Sequence, residues 1–102
     1  MILAIDAGTT GVTAVLVDSS GKIIQRGYSE FAQHYPQPGW VEHDLNQIWQ
    51  ATQSAVSAID TKLISAIGIT NQRETVGVWD AKTLEPLAPP IVTGKQIGRA
   101  HV

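Results

Sequence analysis

Three short stretches of the sequence hold residue types whose spacing could do chemistry. The first is Asp6-Ala7-Gly8-Thr9-Thr10-Gly11. A carboxylate at the end of a buried strand can hold a hydrated Mg²⁺, a hard ion that takes oxygen ligands and keeps several of its waters. Glycines let a backbone approach phosphate closely, and the two threonines add hydroxyl donors beside the backbone N–H groups. This is a different cradle from the Walker loop, because Gly-x4-Gly-Lys-Ser/Thr is absent. A plain hairpin would use the same residues, so these six leave both readings open.

The second stretch is Asn71-Gln72-Arg73-Glu74-Thr75, directly after the apolar run Ala66–Thr70. Polar residues at the carboxyl end of a buried strand are where sheet proteins often place ligand contacts. An adjacent Arg and Glu can grip a polyol together: the guanidinium donates to hydroxyl oxygens and the carboxylate accepts from hydroxyl protons. A solvent-exposed loop carrying a weak surface ion pair would look the same. The third stretch is Pro38-Gly39-Trp40-Val41-Glu42-His43-Asp44. Asp44 is adequately explained as a helix cap, and Trp40 and Trp49 as packing residues. Glu42-His43 could suggest a metal or acid–base pair, but no further histidine stands nearby at ligand spacing. His34 and His101 are isolated, and no catalytic histidine is assigned.

The elements that must position these residues follow from apolar pattern and turn signals. Residues 2–6 read as a short buried strand, 12–18 as a β-branched strand ending at Ser19-Ser20-Gly21, and Lys22 to about Phe31 as a third. Short turns between them make an antiparallel meander. Tyr35-Pro36-Gln37-Pro38-Gly39-Trp40 interrupts regular structure. Asp44 then predicts a helix start, with Gln47 placed to reach back in a capping box. Leu45, Ile48, Trp49, Thr52, Val56 and Ile59 supply an apolar stripe. Residues 64–70 and 75–80 predict a fourth and fifth strand, Ala81–Glu85 a turn, and Pro86, Pro89 and Pro90 a stop to regular structure. The order βββαββ predicts an α+β or mixed α/β fold with one sheet and at least one covering helix. A single helix leaves the other face of that sheet in need of a partner.

Composition narrows the function classes. The 102 residues suit one domain, with 43% hydrophobic and 16% charged residues in an ordinary globular balance. A net charge of −2 gives no electrostatic case for nucleic acid or an anionic membrane surface. The absence of cysteine excludes disulfides and thiolate metal sites. No signal peptide or membrane span is present in the sequence, so a cytoplasmic location is the expectation.

Taken in order, Asp6-x-Gly-Thr-Thr, then Tyr35-Pro-x-Pro-Gly-Trp-Val-Glu-His-Asp44, then Ala66-Ile-Gly-Ile-Thr-Asn-Gln-Arg-Glu-Thr75, the sequence resembles the glycerol kinase branch of the FGGY carbohydrate kinases. The resemblance covers roughly residues 1–92, read as a partial N-terminal domain. It implies a truncated ribonuclease-H-like half-domain of the actin/Hsp70/sugar-kinase superfamily, with ATP and Mg²⁺ as cofactors and glycerol as substrate. Asp6 is then expected near the metal. Gly8, Thr9, Thr10 and Gly11 are expected at the nucleotide phosphates, and Arg73 and Glu74 at the glycerol hydroxyls. Another polyol or sugar kinase of the family, or a non-catalytic nucleotide-binding module related to Hsp70 or actin, shares part of this pattern.

Two positions depart from it. Many members of the branch carry an Arg two residues after the position of Gly11, where this sequence has Thr13, which can donate one hydroxyl hydrogen bond to phosphate. After Val92 the family would continue with Trp and an Arg-containing segment, whereas residues 93–102 break away, and Ile97–Val102 reads as a non-native, adapter-like tail. The resemblance also places the general base and adenosine pocket beyond residue 102. The expectation is thus an N-terminal fragment, inactive alone, whose partner is the missing C-terminal domain of the same protein. The parent enzyme is expected to be a possible homo-oligomer.

Overall fold

A computed structural model of the chain describes residues 1–72 and 75–92. It divides into two compact units, one made of Met1–Phe31 and Ile48–Gln72, the other built around Ala32–Gln47 and the strands beyond residue 74. Arg73, Glu74 and the tail 93–102 lie outside the described residues.

In the first unit the predicted meander is present. Strands β1 (Ile2–Ala7), β2 (Gly11–Val17) and β3 (Ile23–Glu30) pair antiparallel, and β4 (Ala66–Asn71) lies parallel to β1, giving the order β3-β2-β1-β4. Alternation explains the facing. Leu3, Val12, Ala14 and Leu16 are buried together with Phe31 and with Ala51, Ala55 and Ile59. Each larger side chain among them contributes about 1.5–3 kcal/mol on burial.

Helix α1 (Leu45–Val56) begins as the sequence predicts. The Asp44 carboxylate accepts from the N–H groups of Asn46 (2.8 Å) and Gln47 (3.4 Å). Two details differ from expectation. Gln47 does not complete a capping box, because its Oε1 lies 2.9 Å from His34 Nε2. The buried side of the helix is its alanine face, Ala51 and Ala55, while Trp49 is 61% exposed. The reason is close approach: a Cβ on Gly27 of β3 would collide with the Ala55 carbonyl oxygen, so only small residues fit at this contact. A stripe chosen by side-chain size alone misses that constraint.

β4 is an edge strand with every residue exposed, Ile67 at 60% and Ile69 at 72%. A one-turn 3₁₀ helix, Thr61–Leu63, precedes it and is capped by Asp60.

The second unit corrects two expectations. Its strands β5 (Thr75–Trp79) and β6 (Pro86–Val92) pair only with each other, so the described residues form two sheets rather than one. β6 is a strand despite its three prolines. Proline lacks a donor and is confined to edges and bulges. Pro86 sits at the first position of β6, and Pro89 and Pro90 fall where the register shifts between Val76 and Val78. The Asp80–Glu85 connection is a turn, as predicted, with the Asp80 carboxylate accepting from the N–H groups of Lys82 and Thr83. In the 32–47 segment, Gln37-Pro38-Gly39-Trp40 closes on a Trp40 N–H to Gln37 carbonyl bond of 3.0 Å, with Gly39 at φ 84°. Proline followed by a glycine of positive φ suits a type II turn.

Candidate phosphate and metal site

The β1–β2 turn is held by four residues. Gly8 N–H donates to the Gly11 carbonyl at 3.0 Å, which closes the hairpin around Thr9 and Thr10. The Thr10 carbonyl accepts from Phe31 N–H at 3.4 Å, anchoring the tip to the end of β3. The two glycines serve different ends. A Cβ on Gly11 would stand 2.5 Å from the Tyr28 hydroxyl and 2.7 Å from the Ser29 carbonyl oxygen, so β2 and β3 demand glycine there. A Cβ on Gly8 would meet only the Gly11 carbonyl, at 3.4 Å.

Asp6 lies on the sheet face that α1 does not cover. The ladder registers place it opposite Thr13 on β2 and Thr70 on β4. These three line an open trough of about 430 Å³ together with Ala4, Ile5, Val15, Gly68 and Ile69. Asp6 is exposed, and among the described residues its carboxylate makes no hydrogen bond or ion pair. One carboxylate flanked by two hydroxyl-bearing residues is an all-oxygen set that suits a hydrated Mg²⁺ and offers nothing to a thiophilic metal. Among the described residues no group of three His, Cys, Asp or Glu side chains is arranged for a metal. His43 is fully buried, with Nε2 2.8 Å from Gln33 Oε1 and its N–H donating to the Pro90 carbonyl, a structural role within the second unit.

Of the residues singled out from sequence, the structure brings together Asp6, Gly8, Thr9, Thr10, Gly11 and Thr13. Arg73 and Glu74 lie outside the described residues. Two neighbours were not assigned to this turn from sequence, although Gln72 belongs to the second stretch. Thr70 faces the Asp6 position because β4 runs parallel to β1, a pairing that motif reading does not supply. Gln72 Nε2 donates to the Gly8 carbonyl at 2.7 Å, bridging 64 residues of sequence.

An exposed carboxylate thus stands beside a glycine- and threonine-rich hairpin on a mixed sheet. Residues 1–98 match the model of the N-terminal domain of the FGGY family of carbohydrate kinases, and the chain belongs to that family. It is 54% identical over 95 residues to a glycerol kinase of Saccharolobus islandicus, a match covering 89% of this chain and 19% of the relative. With a glycerol kinase of Ligilactobacillus salivarius the identity is 48% over 97 residues, again 89% of this chain and 19% of the relative. A solved Plasmodium falciparum glycerol kinase with ADP superposes with a TM-score of 0.81 at 33% identity, covering 89% of this chain and 20% of that one. The chain thus spans about a fifth of the length of these relatives.

Proposed function

We propose that this chain is the N-terminal part of an ATP-dependent glycerol kinase, which transfers the γ-phosphoryl group of ATP to a terminal hydroxyl of glycerol. The observation that carries the reading is the Asp6 carboxylate, exposed and without a partner among the described residues, beside Thr13 and Thr70 at the foot of the Gly8–Gly11 turn. Its glycerol specificity is supported by the relatives, which are named glycerol kinases.

In this reading Asp6 orients a hydrated Mg²⁺. When bound there, such an ion would supply positive charge against the phosphate oxygens. Gly8 and Gly11 fix the turn, Thr9 and Thr10 present its tip to the nucleotide phosphates, and Thr13 offers a hydroxyl where a cation would otherwise stand. Arg73 and Glu74 hold the glycerol hydroxyls, the first as donor and the second as acceptor. Phosphoryl transfer rests mainly on positioning and charge stabilisation, which suits a site built from turns and strand ends. The general base and the adenosine pocket belong to later parts of a longer, cytoplasmic protein. The 102-residue chain is inactive alone.

A coupled ATP assay of the purified 102-residue chain and of the protein encoded by the full gene, with glycerol, xylulose and erythritol, tests this. The expected result is glycerol turnover by the full protein and none by the short chain. Preference for xylulose would move the assignment to another carbohydrate kinase of the family. A solved Brucella ovis protein described as a xylulose-type kinase also superposes with a TM-score of 0.81, at 30% identity.

A further inference from the structure

We infer that Gln72 is a positioning residue for the phosphate turn, an inference that rests on the kinase reading above. The argument starts from the ladder. β1 and β4 run parallel and in register from Ile2↔Ala66 to Ala7↔Asn71, where the pairing stops. The next rung would join residues 8 and 72. At that level the Gln72 side chain supplies the bond instead, with Nε2 donating to the Gly8 carbonyl at 2.7 Å in a partly buried setting. The direction of the amide is not arbitrary. A carbonyl oxygen only accepts, so the NH₂ end must face it.

The placement matters because of what else holds Gly8. Its N–H is already donated to the Gly11 carbonyl, across the base of the turn. Gln72 takes the carbonyl, so the turn is gripped on both sides of its first residue. The Gly8 contact is also lax: a Cβ there would meet one atom only, at 3.4 Å, whereas Gly11 is wedged against β3. The end of the turn at Gly11 is therefore set by packing, and the end at Gly8 by a hydrogen bond from Gln72. Without the bond the strands remain paired, but the Gly8 carbonyl loses this donor and the first peptide of the turn is held less firmly.

The test uses the full-length kinase and ATP binding measured calorimetrically without polyol, so that it does not depend on which polyol the enzyme accepts. Gln72→Met keeps length and volume and removes the donor. The expected result is ATP affinity weakened about fivefold, with a matching rise in KM for ATP, a thermal midpoint close to wild type, and a smaller change in KM for polyol. Gln72→Glu removes the donor as a carboxylate and restores it as a carboxylic acid. Its deficit in ATP affinity against wild type should shrink as pH falls from 7.5 toward about 5. Unchanged ATP affinity in Gln72→Met, or a lowered thermal midpoint with unchanged affinity, overturns the inference. So does a Gln72→Glu deficit that does not vary with pH. Wild-type protein that binds ATP but leaves glycerol unphosphorylated would instead defeat the glycerol reading and leave the Gln72 comparison intact.

Discussion

The first sheet carries two hairpin turns, one at each end of β2, and they use their aspartates in opposite ways. At the β2–β3 turn, Asp18 is absorbed by its own loop. Its Oδ1 accepts from Ser20 N–H (2.9 Å), Ser20 Oγ–H (2.6 Å) and Lys22 N–H (3.0 Å), while Gly21 takes φ 86° to close the turn. At the β1–β2 turn, Asp6 stands just before the loop and bonds to none of it. The structural bond to that turn arrives from Gln72, far along the chain. A turn that satisfies itself has its carboxylate fully occupied. A turn held from outside leaves its carboxylate and its tip available, which is what a ligand site needs.

The comparison breaks most visibly at Asp6. Asp6→Ala should leave stability within about 0.5 kcal/mol of wild type, since the side chain is exposed and unbonded. On the role proposed for Asp6, the same change in the full-length protein should lower kcat on the order of 100-fold. Chemical denaturation and a steady-state ATP assay read the two effects separately. A stability loss of several kcal/mol would make Asp6 a structural residue like Asp18.

Next in size is the pair of glycines at that turn. Gly11→Ala drives a Cβ against the Ser29 carbonyl and the Tyr28 ring, and should destabilise by about 1–3 kcal/mol. Gly8→Ala meets only an ordinary contact and should cost far less. Urea midpoints of the two variants decide the matter, and equal losses would remove the distinction drawn between the two ends of the turn.

How far the sequence leads, and where it stops, follows the same divide between local and non-local causes. Strands β1–β4, the Asp44 cap and the Asp80 turn were legible because each is written in neighbouring residues. So were Asp6 and the Gly-Thr-Thr-Gly turn as a candidate site. β6 was not, since its prolines argue against a strand until one knows that it pairs on one side only and shifts register at Pro89-Pro90. The alanine face of α1 was hidden for a related reason. What selects it is Gly27, which lies on a different element. The placement of Thr70 and Gln72 beside the first turn was hidden because it depends on β4 lying parallel beside β1.

A smaller effect sharpens the contrast between occupied and unoccupied carboxylates through pH. Asp18 is held below the ordinary carboxylate value of 3.8, first by the Ser20 hydroxyl and then by the Lys22 N–H. Asp80 is likewise lowered, first by the Thr83 N–H and then by that of Lys82. A carboxyl group whose pKa is lower in the folded chain than in the unfolded one stabilises fully above 3.8, and that contribution disappears as pH falls through the folded value. Thermal midpoints measured downward from pH 5 should therefore decline more steeply for wild type than for the double variant Asp18→Asn, Asp80→Asn. An acid limb as steep in the double variant as in wild type would show that the loop bonds to Asp18 and Asp80 contribute nothing to the fold.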